Sequence, residues 1–172
     1  LSEPMLIAIL AEVSGSPKEN RALIEYHLNS ADLECLGLDL PRFDEAARVA
    51  IVMAWNCAKR QEVKLQNLLD ALLYADLLCQ PGAGATAVLR HNGVLGFVHS
   101  NLKTVVALFD GSKCEAPQLS DEVRLALDHA LRLTTDGLVS TQHLLYGLAM
   151  VGLGELSQAG LTAEMIRKYI LS

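Results

Sequence analysis

Five histidines and four cysteines carry most of the chemistry this sequence could offer. His27, His91, His99, His129 and His143 are scattered, with no pair at the spacing by which one helix face presents two ligands to a metal. Cys35, Cys57, Cys79 and Cys114 lie 22, 22 and 35 residues apart, and no CxxC occurs. They form neither a zinc ribbon nor a dithiol redox pair. In so apolar a chain they read as small buried hydrophobes in a reducing compartment, and the expected location is cytoplasmic. Cys79 and His91 could act as nucleophile and base, but no third residue is placed to orient the pair. Asp128 and His129 are neighbours on one predicted helix, point about 100° apart and make no dyad.

Gly82-Ala83-Gly84-Ala85, just ahead of a predicted helix, has the outline of a phosphate cradle. It follows a helix and a loop rather than a strand, and it lacks the Lys-Ser/Thr tail that would reach the phosphates. The sequence contains no Glu-x-x-His pair, HExxH, GxSxG, P-loop or GxGxxG. The expectation is a protein that is not an enzyme and needs no cofactor or metal. Binding is the remaining role, and the helices decide what surface is offered.

The clearest helix is announced by Val139-Ser140-Thr141-Gln142-His143-Leu144-Leu145-Tyr146-Gly147-Leu148. Ser140 or Thr141 can cap its start, Val139 can staple onto the first turns, and Leu144, Leu145 and Leu148 form a wide apolar face. His143 is expected to pack or cap rather than catalyse. The pattern is written twice. Subtracting 76 takes Val139, Gln142, Leu144, Leu145 and Leu148 to Val63, Gln66, Leu68, Leu69 and Leu72. The preceding helix obeys the same shift: Phe43, Ala47, Ala50, Ile51, Ala54 and Trp55 become Leu119, Val123, Ala126, Leu127, Ala130 and Leu131. These are i, i+4, i+7, i+8, i+11 and i+12 of an amphipathic stripe, so a helix-turn-helix unit is duplicated. A partial third copy opens the chain, where Ser2 to Leu10 aligns with Thr141 to Ala149 and Pro4 falls in the first turn.

The Thr141-Gln142-His143-Leu144-Leu145-Tyr146-Gly147-Leu148 run resembles the Thr-Glu-His-Leu-Leu-Leu-Gly-Leu signature of Clp N-terminal repeats, with a degraded form at Leu65-Gln66-Asn67-Leu68-Leu69. The resemblance implies an all-α fold of tandem Clp-N-like helical repeats, two full units plus an N-terminal partial unit, packed as a pseudo-symmetric bundle. The corresponding divisions are a partial repeat or helical cap at 1–38, a repeat at 41–109, a linker at 110–118 and a repeat at 119–171.

Such domains receive adaptors or substrates for an AAA+ Clp unfoldase, or stand alone as accessory proteins. In one branch of the family, a groove between repeats holds phosphorylated arginine through the signature Glu and a Thr at each first helix start. The matching positions here are Gln66 and Gln142, with Asp44 and Ser120, and these four are the candidate groove residues. Neutral amides replace both carboxylates, and a hydrogen bond from guanidinium to a neutral acceptor is worth about half a charge-assisted one. Asp44 would also repel a phosphate, so phosphoarginine docking is disfavoured. The alternative is a helical-repeat scaffold or regulator unrelated to proteolysis.

Composition agrees with a helical binding protein. Apolar residues make up 51% and charged residues 20% of 172, which argues against disorder. A net charge of −6 gives no electrostatic reason to bind nucleic acid or an anionic membrane surface. No run of 18 apolar residues offers a membrane span.

Along the chain, helices are expected at 2–11, 18–28, 32–36, 42–60, 65–77 and 85–92. An apolar segment at 94–109 and a linker at 110–117 follow. Helices then run from the Ser120 cap to about Leu133, from the signature start to Gly152, up to Gly160, and from the Thr162 cap onward. Gly93 and Gly160 are 67 apart rather than 76, so the last unit lacks about nine residues of the 79–84 region.

Overall fold

Asp44 and Ser120, one 76-residue step apart, begin their helices in the same way. Asp44 Oδ1 accepts the amide of Ala47 at 2.8 Å, and Ser120 Oγ accepts that of Val123 at 3.1 Å. Each satisfies one of the amides a helix start leaves without an intrahelical partner. The computed structural model describes residues 17–30, 37–57, 62–98, 119–134 and 137–172. Among them the α-helices are α1 (Pro17–Ser30), α2 (Glu45–Cys57), α3 (Leu65–Cys79), α4 (Ala85–His91), α5 (Leu95–Val98), α6 (Asp121–Leu133), α7 (Thr141–Val151), α8 (Gly154–Gln158) and α9 (Ala163–Leu171). The protein is all-α in these parts. The expected helices at 2–11 and 32–36, the residues 99–109, the 110–118 linker, Cys35, Cys114 and His99 lie outside the described residues.

The paired stripes build one core. Phe43, Ala47, Ala50, Ile51, Ala54 and Trp55 are buried, as are Leu119, Val123, Ala126, Leu127 and Ala130, with Leu131 partly covered. They meet Leu68, Leu69 and Leu72 of α3 and Leu144, Leu145 and Leu148 of α7. The chief packing is α2 on α3 and α6 on α7, and α3 and α7 also touch. Burying a leucine of this kind stabilises the fold by about 2 kcal/mol. Gly147 lets α6 and α7 approach closely, because a Cβ there would meet the carbonyl of Ala126.

Two short backbone pairings cross between the helix pairs. Phe43 bridges Val139 in parallel, and Val63 bridges Leu119 in parallel. Asp44 N–H donates to Val139 O at 2.9 Å, Val139 N–H to Arg42 O at 2.7 Å, and Ser120 N–H to Val63 O at 3.0 Å. Phe43 and Leu119 are 76 residues apart, and so are Val63 and Val139. The residue ahead of each first helix thus pairs with the residue ahead of the other pair's second helix. Val63 and Val139 suit extended backbone, and both are fully buried.

The two halves are covered differently. α2 buries nearly every position from Ala46 to Trp55, including Val49, Val52 and Met53. One 76-residue step later Leu125 is exposed, and Asp128 and His129 are half-buried. α1 lies across α2 and α3, sinking Ile24 and joining Arg21 to Glu45 at 2.7 Å. Among the described residues no helix is long and apolar enough to cross a membrane.

Candidate functional site

Gln66 and Ser120 line the same cleft. It holds about 530 Å³, and its lining includes Glu62, Asp121, Glu122, Gly152 and Gly154. Two things create it: α3 and α6 both start here, beside the Val63–Leu119 crossing, and α7 stops short at Gly152. Gly152 adopts φ +87°, a left-handed stop that glycine accepts at little cost. Ser120 spends its hydroxyl on capping α6, while Gln66 Nε2 donates to Asp70 Oδ1 at 2.9 Å.

Around Gln66 two further carboxyl groups come together. Burial pushes the Asp70 carboxyl up to about 6, Gln66 works against that, and Glu155 adds to it. Burial likewise raises Glu155 above its ordinary value. With Lys64 as the cation on the lining, the cleft is predominantly acidic.

Asp44 and Gln142 sit at the other crossing. Asp44 caps α2, and burial holds its carboxyl above the usual range despite the lowering hydrogen bond from Ala47. Gln142 Nε2 donates to the carbonyl of Gly84 at 3.3 Å. The 76-residue step maps Leu65, Gln66 and Gly152 of the cleft onto Thr141, Gln142 and Asp76. There the space is filled. Thr141 Oγ donates to Asp76 Oδ1 at 2.6 Å, and Gln80 Nε2 donates to the same oxygen at 2.8 Å. Thr86 N–H donates to Asp76 Oδ2 at 3.2 Å, and Ala85 N–H to Thr141 Oγ at 3.1 Å.

Asp76 is fully buried, and burial pushes its carboxyl up to about 6 against the lowering bonds from Thr141 and Gln80. Gly84, at φ +66°, passes so close that a Cβ would meet Thr141, Asp76 and Gln80.

This knot answers two sequence readings. The glycine loop before α4 holds the protein's own carboxylate, and the amides of Ala85 and Thr86 are already engaged, which agrees with rejecting a phosphate cradle. Ser140 occupies the N-cap position of α7, whereas Thr141 turns inward to Asp76. Asp76 itself was not legible as a partner. The available signal was an aspartate inside Tyr74-Ala75-Asp76-Leu77-Leu78, since a carboxylate on an otherwise apolar helix must find donors if it is buried.

Among the described residues the remaining candidates for chemistry do not assemble. Burial pushes the Cys79 thiol up to about 12, so it is protonated and a poor nucleophile at neutral pH. His91 lies against the Tyr169 ring at 5.1 Å, and Asp128 pairs with Arg132 at 2.7 Å. His143 Nδ1 accepts the Ser140 amide at 3.0 Å, a capping role. Among the described residues no group of three or more His, Cys, Asp and Glu is placed to hold a metal ion. No protein-family model matches the chain, and no curated protein matches it.

Proposed function

We propose that this chain is a non-catalytic protein-interaction module of the Clp N-terminal kind. In this reading the units at 41–109 and 119–171 are tandem repeats about a pseudo-two-fold axis, preceded by a partial unit within 1–38. The module docks substrates or adaptors for an AAA+ Clp unfoldase, or serves such a machine as an accessory, in the cytoplasm. The observation that supports it most is the exchange of partners between the Phe43–Val139 and Val63–Leu119 bridges, as expected for two like units related by a two-fold axis. The signature run beginning at Thr141 adds the family.

The docking place in this reading is the cleft at Gln66 and Ser120, the open one of two positions related by the 76-residue step. Its acidic border and the neutral Gln66 suit a neutral or cationic protein segment better than a phosphorylated one. The test is affinity capture from the source organism's lysate with the intact chain as bait, beside a Glu122→Arg bait that reverses one exposed charge at the border. Recovery of an AAA+ unfoldase or its peptidase, lost with the variant, is the expected result. Recovery of unrelated proteins alone would leave a helical-repeat scaffold outside proteolysis.

A further inference from the structure

The helix starts that follow Val139 and Val63, one at each crossing, are fastened by different chemistry. Ser140, which directly follows Val139, gives its backbone N–H to His143 Nδ1 at 3.0 Å, with Ser140 Oγ 2.8 Å from the same nitrogen. A backbone N–H can only donate, so Nδ1 is an unprotonated acceptor and the neutral ring carries its hydrogen on Nε2. Lys64, which directly follows Val63, gives its N–H to Asn67 Oδ1 at 2.9 Å. Lys64 and Ser140 are 76 residues apart, and so are Asn67 and His143. The same fastening is made by a side chain that cannot titrate and by one that titrates near neutrality.

We propose that His143 makes the Phe43–Val139 crossing an acid-sensitive joint. Protonation of Nδ1 releases the Ser140 amide beside Val139 and loosens this crossing, while the Val63–Leu119 crossing, whose following turn is held by Asn67, stays closed. A protonated Nδ1 has no lone pair to offer and opposes the Ser140 N–H directly. The new positive charge also sits in the first turn of α7, where the helix dipole disfavours it.

The released imidazolium finds its counter-charge in Asp44 at the start of α2, the carboxylate that acts on this ring. Asp44 caps α2 through Ala47, so swinging His143 toward it competes with that cap as well. Arg48 and Glu45, also on the α2 side, act on Asp44 with opposite signs. Arg42 is engaged at the carbonyl of Thr134, and Asp76, from α3, is engaged by Thr141. α6 packs on α7 with Val123, Ala126, Leu127 and Ala130 buried, and these bring no charge.

The direction of the linkage follows from burial, which holds His143 below its usual 6.5 while Asp44 opposes the shift. A base whose folded pKa is lowered contributes stability that is complete above the unfolded value and lost as pH falls through the folded one. Asp44, Asp70, Asp76 and Glu155 are shifted upward, and their contributions run the other way. Whole-molecule stability therefore mixes opposed terms, and a local readout is needed.

Amide hydrogen exchange of the full chain, followed by NMR between about pH 7.5 and 5, reads the joint directly. If opening takes up one proton, protection of the Val139 and Ser140 amides relative to Ser120 and Lys64 falls by up to about tenfold per pH unit between the free-imidazole value of about 6.5 and the lower pKa of the closed joint. His143→Asn copies the Asn67 fastening, and its Ser140 protection should keep step with Lys64 throughout. A flat ratio in the parent chain, or the same fall in the variant, overturns the proposal. Ring titration in the parent is an independent check that needs no variant. The Ser140 amide shift should follow the His143 curve, and a ring that titrates with no linked Ser140 change also overturns it.

Discussion

α3 and α7 start alike and part at one residue. α7 ends where Gly152 turns left-handed, and a cleft opens beside it. At the position 76 residues earlier α3 has Asp76, runs on through Cys79, and returns by the 80–84 loop to lock Asp76 against Thr141. The extra length relative to α7 is spent on that last turn and that loop. One glycine-for-aspartate difference, with the insertion that follows it, separates an open place from a closed one. Whether space is left beside the second helix of each pair is thus set by how far that helix runs.

The most severe way to break this contrast is Asp76→Ala. It leaves the Thr141 hydroxyl, the Gln80 amide and the Thr86 N–H without their buried acceptor, and the expected loss is about 3 kcal/mol in urea denaturation at neutral pH. A loss under about 1 kcal/mol would mean that the knot does not hold the 80–84 loop.

Next in size is the helix approach. Gly147→Ala drives a methyl group into the Ala126 carbonyl and should lower stability by about 2 kcal/mol. The equivalent residue on α3 is already Ala71, fully buried, so Ala71→Gly should cost only about 1 kcal/mol of helix propensity. Equal thermal midpoints for parent and Gly147→Ala would contradict the close packing of α6 on α7.

A third test uses pH on the open side. Asp70 is raised to about 6 from an ordinary 3.8, so its contribution is present below about 4 and is lost as pH rises through about 6. Asp70→Asn keeps an oxygen for Gln66 and removes the charge. It should stabilise the protein by about 1 kcal/mol at pH 8 after allowance for partial exposure, and little at pH 4, in paired urea titrations.

The smallest effects distinguish the two signature amides. Gln66→Glu sets a carboxylate against Asp70 and should cost about 1 kcal/mol at pH 8, less at pH 5. Gln142→Glu loses one long bond to Gly84 at a helix start that tolerates acid, and should stay within about 0.5 kcal/mol. Reversal of that order in chemical denaturation would show that the closed side is the more sensitive to charge.

Much of the architecture was legible because it is local or periodic. The stripes from Phe43 and Leu119 are the buried faces, α6 ends at Leu133 as its apolar spacing predicts, and Ser120 and Thr162 cap their helices. The 65–77 helix runs two residues further, because Leu78 is buried and Cys79 still fits the turn. What pattern could not supply is long-range and polar. Asp76 meets Thr141 across 65 residues, and nothing in the spacing of an apolar helix tells which hydroxyl will reach a carboxylate. The four groove candidates fall at two places, Gln66 and Ser120 on the cleft, Asp44 and Gln142 at the filled counterpart, because each crossing joins one first-helix start to one second-helix start.

The crossed bridges also fix what can be cut out of this molecule. Phe43 reaches Val139 over 96 residues and Val63 reaches Leu119 over 56, so the second span is nested inside the first and each seam joins one helix pair to the other. A fragment ending at Val98 would keep Arg42, Asp44 and Val63 with every crossing partner removed, and one beginning at Leu119 would be stripped in the same manner. Neither piece is a miniature of the whole. Keeping both seams needs at least Arg42 through Val139, and keeping the core leucines of α7 extends that to Leu148. Deletion mapping of a binding region by halves would therefore report the collapse of the scaffold in either half, rather than the place where a partner sits.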